Sequence, residues 1–428
     1  MPEPSLNANI LAQLDSDLQA TDDLLAGSYP GDQGRWQPVH TVYVPADRFA
    51  AVLPAQWGQQ ASDLVAANGG IAELCAALGV APGIREEVAD RVSAKLSEEP
   101  IEDLRLDFED GYGDRGDDVE DQEAVAVAGK IADAIEGGRC PRAIGIRFKC
   151  FEEATRARGI RTLDLFIGAL LTRLGHVPSQ LVLTFPKVST VSQVEAMVAV
   201  CEALETAHQL LPGELGFEIQ VETPQLILGA DGTNPLAQAL HAGQGRVTSL
   251  HYGTYDYSAS LHISAANQAA DHPAADHAKL VMQLAAAGTG IHTSDGSTNV
   301  IPTGSSEQVH AAWALHAGLV DRALKRGIYQ GWDMHPGHLP TRFIATFAFY
   351  RQDFASAAQR LSNYIERNDS AVMDEPATAR ALARYVARGY ACGAIAESEV
   401  TESCGLSPAD LAVLARDRSD TESLRQSG

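Results

Sequence analysis

A (β/α)8 barrel of the TIM type, with helical extensions at both ends, is the fold this sequence predicts. Eight short runs rich in β-branched and aromatic residues recur between Val39 and Pro336, and amphipathic segments of helical period separate them. Strand, helix, strand repeated eight times is the pattern of a closed parallel sheet wrapped by helices, with a doubly wound sheet as the competing architecture.

In order, the runs are VHTVYVP (Val39 to Pro45), LRLDFED (Leu104 to Asp110), AIGIRFK (Ala143 to Lys149), LVLTFPK (Leu181 to Lys187) and LGFEIQVET (Leu215 to Thr223). Three weaker ones follow: VTSLHYGTYD (Val247 to Asp256), GIHTSD (Gly290 to Asp295) and GIYQGWDMHP (Gly327 to Pro336). Helices are expected in TVSQVEAMVAVCEALETAHQLL after the fourth run and in SSEQVHAAWALHAGLVDRALKR after the seventh. The residues before Val39, the Ala-rich acidic segment between Gln56 and Glu99, and the chain from Arg351 onward also read as helical. The organisation predicted is an N-terminal helical extension over 1–38, a barrel over 39–350 and a C-terminal helical segment over 351–428.

Composition narrows the partners. The 428 residues, 45% of them hydrophobic, can bury a large core. With 32 basic against 56 acidic residues the net charge is −24, which opposes binding to a nucleic-acid backbone or an anionic membrane. The six cysteines show no C-x-x-C spacing, so a structural zinc site and a disulfide framework both lack support, and reduced thiols in the cytoplasm are expected. No apolar stretch approaches the ~18 residues of a membrane span, and MPEPSLNANILAQLDSDLQ lacks the basic start of an export signal.

Successive strand residues alternate faces, so Arg105, Asp107 and Glu109 should oppose Leu104, Leu106 and Phe108. By the same rule Arg147 and Lys149 oppose Ile144, Ile146 and Phe148, while Glu218, Gln220 and Glu222 oppose Phe217, Ile219 and Val221. In a barrel, the inward set near the C-terminal strand ends lines the active site. The stretch LRLDFEDGYGDRGDD also contains Gly111, Gly113 and Gly116 at the G-x-G-x-x-G spacing of a dinucleotide turn. A pyrophosphate needs free N–H groups and an unopposed helix N-terminus, whereas Asp107, Glu109, Asp110, Asp114, Asp117 and Asp118 crowd this one with negative charge. The glycines are therefore read as a loop leaving a barrel strand. Glu222 in VETP and Asp256 in GTYDYSAS should rise on adjacent strand ends, facing Arg147, in an arrangement suited to Mg²⁺, which takes one or two carboxylates and leaves positions for substrate oxygens. Arg147 offers a fork that matches a substrate carboxylate.

These residues resemble the HpcH/HpaI aldolase and citrate lyase family, in the branch of the citrate lyase β-subunit and the malyl-CoA lyases. The resemblance runs from about Thr41 to Leu339 and is carried, in order, by VYVPA, the D-x-E-D of DFED, the Arg of IRFK, FPKV, VETP, GTYDYSAS and DMHP. It implies Mg²⁺ held by Glu222 and Asp256, a 2-oxo acid on the metal, and Arg147 on the oxo acid and its developing charge. Lys187 and Pro224 would border the substrate, and Glu109 and Asp110 would handle protons. The implied activity is carbon–carbon lysis or condensation beside a carbonyl, on a hydroxy acid or its CoA ester, in a homo-oligomer, a trimer or a hexamer. Use of CoA is weakened by GYGDRGDDVEDQEAVAV, which has no lysine before Lys130 to meet its phosphates. An inserted GADGTNP loop lies between Glu222 and Asp256, and no counterpart of a C-terminal catalytic acid stands out. The rivals are a malate synthase-like condensation, a phosphotransferase, for which no nucleotide loop is evident, and a barrel that binds without turnover.

Overall fold

The computed structural model describes residues 6–366 and 375–416, so parts of both predicted extensions, residues 1–5, 367–374 and 417–428, lie outside the described residues. Its centre is a parallel sheet of eight strands: β1 (His40–Pro45), β2 (Asp103–Asp107), β3 (Ala143–Arg147), β4 (Leu181–Phe185), β5 (Phe217–Val221), β6 (Val247–Tyr252), β7 (His292–Ser294) and β8 (Gly331–Asp333). They are ordered β7-β6-β5-β4-β3-β2-β1-β8, and a single bridge between Ser294 and Gln330 closes the ring. The predicted (β/α)8 barrel is what the chain forms.

The alternation along each strand explains the two sides of the wall. Leu104, Leu106, Ile144, Ile146, Phe217 and Ile219 are fully buried in the layer between strands and helices. The opposite face holds polar groups, which are buried and must be paired. Near the N-terminal end of the barrel Arg105 donates to Asp103, Glu218 and Thr184, so an otherwise costly buried charge is compensated on several sides. One turn higher, register places Asp107 opposite Arg147. That pairing is the base of the site described below.

The helices follow the amphipathic segments. Val191–His208 and Ser306–Lys325 occupy the two stretches named from their period, and in the second Ser305 and Gln308 cap each other's backbone N–H. Between β1 and β2 lie Leu53–Ala67, Ile71–Ala77 and Arg85–Glu98, in the acidic, Ala-rich segment. The helix Ala8–Ser28 buries none of its residues. The helix Leu339–Glu366 leaves β8, runs through position 350 without a break and packs on Arg85–Glu98; Pro376–Ala391, Glu397–Cys404 and Pro408–Leu414 complete the C-terminal part. No helix among the described residues is long and apolar enough to cross a membrane.

Three strands end sooner than their apolar runs suggest, and this moves residues. β2 stops at Asp107, so Phe108, Glu109 and Asp110 lie in the turn onto the rim; the Tyr112 and Gly113 N–H groups donate to the Glu109 carbonyl. β3 stops at Arg147, and Lys149 departs from the inward set: its ammonium reaches the Phe108 carbonyl and Glu120 on the helix Asp117–Glu136. β6 stops at Tyr252, so Asp256 is not at a strand end but in the first turn of the helix Thr254–Ser260. Each departure has one cause: at the rim the chain must bend away from the ladder, and turn contacts there override alternation.

Candidate active site

The acidic stretch at the end of β2 does two separate jobs. Asp107 accepts two bonds from Arg147, from Nε and Nη2, each at 2.7 Å, and two more from the backbone N–H groups of Glu109 (3.0 Å) and Gly111 (2.7 Å). Arg147 and these N–H groups hold its carboxyl below the usual range although burial opposes this. All four acceptor positions are in use, so Asp107 orients the arginine and has no lone pair left for a cation. A Cβ on Gly111 would stand 2.6 Å from the Asp107 Oδ2, which explains the first glycine of the G-x-G-x-x-G stretch without any dinucleotide. Gly116, with φ of 84°, caps the helix Asp117–Glu136, whose first turn carries Asp117, Asp118 and Glu120. Those carboxylates stand where a phosphate would have to sit.

Arg147 is 3% exposed. Its guanidinium lies over Tyr43 (5.0 Å) and Trp332 (5.6 Å), whose rings are 4.3 Å apart. Its Nη1 reaches the Gln220 side-chain carbonyl (3.3 Å) and comes to 3.3 Å of Glu109 Oε2. The Nε–Nη2 edge expected to grip a substrate carboxylate is thus spent on Asp107. The Nη1 side is the one turned to the carboxylates.

Lys187 organises the rest. Its backbone sits in the left-handed region, φ 51°, unusual for a side chain of this size, and its N–H donates to Glu222 Oε1 at 2.8 Å. Its ammonium contacts Glu109 and lies 2.9 Å from Asp110 Oδ2. Although burial disfavours its charge, those two acids hold it firmly protonated.

Glu222 follows β5 and is 1% exposed. Burial, then the negative charges of Glu109 and Asp256, push its carboxyl up to about 8, against the pull of Arg147 and Lys187. Glu109 is likewise raised by burial and Asp110, and its Oε2 is buried without a hydrogen-bond partner. Gly253 makes room, since a Cβ there would stand 2.5 Å from the Glu222 Cβ and 2.6 Å from its Oε2. Asp256 is half-buried in the turn that Gly253 begins. Pro224 opens the short helix Pro224–Ile227 directly after Glu222 and Thr223. Five carboxylates, from Asp107, Glu109, Asp110, Glu222 and Asp256, therefore meet two cations, Arg147 and Lys187, and a divalent cation fits the imbalance and the Glu109 oxygen that takes no hydrogen bond.

The structure thus brings together Glu109, Asp110, Arg147, Lys187, Glu222 and Asp256. The alternation had put Gln220 on the inward face, but the sequence did not show the orienting role of Asp107 or the contributions of Tyr43, Trp332 and Gly253. The glycine of GTYD before a carboxylate-bearing turn was the one available signal.

A second group of potential metal ligands, His316, Asp333 and His338, has ligand atoms within 4.8 Å of one another. Asp333 is already committed: it accepts from Arg342 Nη2 (2.8 Å) and pairs with His40 (2.8 Å) and His316 (2.9 Å), while His338 Nε2 meets the Val300 carbonyl (3.0 Å) and its Nδ1 is buried without a hydrogen-bond partner. A cation against the Arg342 guanidinium would be repelled, so this is an ion-pair network supporting β8.

A family model described as a domain of unknown function (DUF6986) matches residues 18–419. The chain belongs to that family. No curated protein matches it. Among solved structures, the malate synthase of Haloferax volcanii in its lead(II) complex is 14% identical, with a TM-score of 0.50 over 88% of this chain and 99% of that one, a likeness of fold. The citrate lyase β subunit of M. tuberculosis, complexed with oxaloacetate and magnesium, is 16% identical over 73% of this chain and 98% of that one, with a TM-score of 0.42. An HpcH/HpaI aldolase/citrate lyase family protein from Burkholderia cenocepacia is 12% identical over 80% and 98%, with a TM-score of 0.37.

Proposed function

We propose that the protein is a Mg²⁺-dependent carbon–carbon lyase of the citrate lyase-like type, cleaving or forming a hydroxy acid, free or as its acyl-CoA ester, with a 2-oxo acid such as glyoxylate, pyruvate or oxaloacetate as the other reactant. The observation that carries this reading is the buried Glu222 beside Glu109 and Asp256, raised to about 8 with no cation of the chain compensating it fully. The seven motifs in order add support. Glu222 and Asp256 would hold the ion, with Glu109 facing it. Mg²⁺ would supply Lewis-acid stabilisation of the negative charge that develops when the bond beside the carbonyl breaks or forms.

The chain's own groups supply the rest. Arg147, its guanidinium plane fixed by Asp107 and the Tyr43 and Trp332 rings, would turn Nη1 from its 3.3 Å contacts with Gln220 and Glu109 to the oxo acid, where a preorganised donor acts best. Lys187 positions Glu222 through its N–H and bridges Glu109 and Asp110 with its ammonium. Glu109, raised and partly neutralised, is the group suited to holding a proton near the substrate. Pro224, at the turn after Glu222, would border the substrate with Lys187.

The test is calorimetric. Glu222→Gln with Asp256→Asn retains the acceptor that Lys187 N–H needs and removes the charge, so the variant should fold and lose Mg²⁺-dependent oxalate binding. Oxalate binding equal to wild type would overturn the assignment. A malate synthase-like condensation uses the same groups and is distinguished by thiol release when glyoxylate and an acyl-CoA are supplied. Tight oxalate binding without turnover on any hydroxy acid or thioester would favour a silent barrel.

A further inference from the structure

A half-open pocket lies at the other end of the barrel. The segment before β1, the starts of β7 and β8, and the helices Pro376–Ala391 and Pro408–Leu414 surround a cavity of about 220 Å³. Trp36 and Tyr329 give it aromatic walls and Leu411 an aliphatic one, the outer face of the Trp36 ring being met by the Arg142 guanidinium at 4.0 Å. Its lining carries the guanidinium groups of Arg35 and Arg388, in a chain whose net charge is −24.

Arg388 is the informative residue. It is half-buried, lies 4.1 Å over the Tyr329 ring, and makes no ion pair among the described residues. Acids outnumber bases by 56 to 32 here, so an uncompensated, partly desolvated guanidinium is costly unless something anionic meets it. Arg35 has one donor on the Gly290 carbonyl (2.9 Å), which leaves others on the same fork. The Trp36 Nε1 is buried without a partner. The cavity also feels the arginines: burial and then Arg35 and Arg388 depress His292, which lines it, to about 4.

We propose that this cavity binds a small aromatic carboxylate, its ring between Trp36 and Tyr329 and its carboxylate met by Arg388, Arg35 and the Trp36 N–H. Such a ligand would tie the C-terminal helices to the strand ends of the barrel, far from the carboxylate cluster. A flat body matches aromatic walls, and a negative charge matches the guanidinium groups of Arg388 and Arg35. The site stands independently of the proposed lyase activity.

Isothermal calorimetry with 2-naphthoate and with the cation 2-naphthylmethylammonium tests this, with quenching of tryptophan fluorescence as a second readout. Naphthoate should bind once per chain and saturably at millimolar concentration or below, and the cation should not bind. Losing one charged hydrogen bond should weaken naphthoate about tenfold or more in Arg388→Gln, and Trp36→Phe should weaken it too. Arg147→Lys should leave naphthoate affinity unchanged, which separates this site from the other. The unfolding midpoint of each variant establishes that it is folded. Equal binding of cation and anion, no naphthoate binding at millimolar concentration, or wild-type affinity in folded Arg388→Gln and Trp36→Phe would overturn the proposal.

Discussion

Arg147→Lys isolates what the fork at the centre of the site is for. Lysine keeps the positive charge but has one compact ammonium, which cannot reach both Asp107 oxygens in parallel and the Gln220 carbonyl as well. At least one of the two 2.7 Å bonds to Asp107 and the Gln220 contact are lost in a fully buried setting. Hydrogen bonds to charged groups contribute about 1.5–3 kcal/mol each, so urea unfolding should show roughly 2–3 kcal/mol of lost stability. Loss of one preorganised donor in the reaction itself should lower turnover on the order of 10²- to 10³-fold, about 2.7–4 kcal/mol, once a substrate is found by screening hydroxy acids and hydroxyacyl-CoA esters. Mg²⁺-dependent oxalate binding, measured by calorimetry, should weaken in parallel. The two effects are separable. A wild-type unfolding midpoint would refute the description of Arg147 as bound to Asp107, and lost stability with unchanged oxalate affinity and turnover would make Arg147 a structural ion-pair residue only.

Two further outcomes follow from close packing and from burial. Gly253→Ala places a methyl 2.5 Å from the Glu222 Cβ, so it should destabilise the protein by about 1–3 kcal/mol and displace Glu222; undiminished Mg²⁺-dependent oxalate binding would show that Glu222 does not bind the ion from this position. His338 is fully buried, and burial together with neighbouring His316 depresses it from 6.5 to about 4. The unfolded chain therefore takes up this proton first as pH falls, so the contribution is complete above about 6.5 and is lost progressively toward about 4, roughly 3 kcal/mol in all. Equilibrium unfolding followed from pH 7 to 4 should fall less steeply in His338→Asn than in wild type, and equal slopes would show that His338 is not the group that titrates.

Most of the barrel was legible in the chain because period is local. The two-residue alternation in LRLD, AIGIR and FEIQV and the helical period of the segments around Val191 and Ser306 are fixed by which residues neighbour each other along one element. The same alternation brought out Arg147, Glu222 and the acids after β2. It misled at the rim: Lys149 and Asp256 were placed by extending strands that in fact stop at Arg147 and Tyr252. Alternation carries no information about where a strand ends.

What the sequence determined by itself, then, is the set of elements, the inward-facing identity of the polar residues and the excess of acid around the glycine turn. The tertiary structure decided how those polar residues share one another. Register set Asp107 beside Arg147 and so spent the arginine's fork on a neighbour, the left-handed Lys187 turned its N–H to Glu222, and Gly253 let a chain 31 residues further on pack against that glutamate. Hydrogen-bond partners and desolvation depend on distances between residues far apart in the chain, and those distances exist only once the barrel has closed.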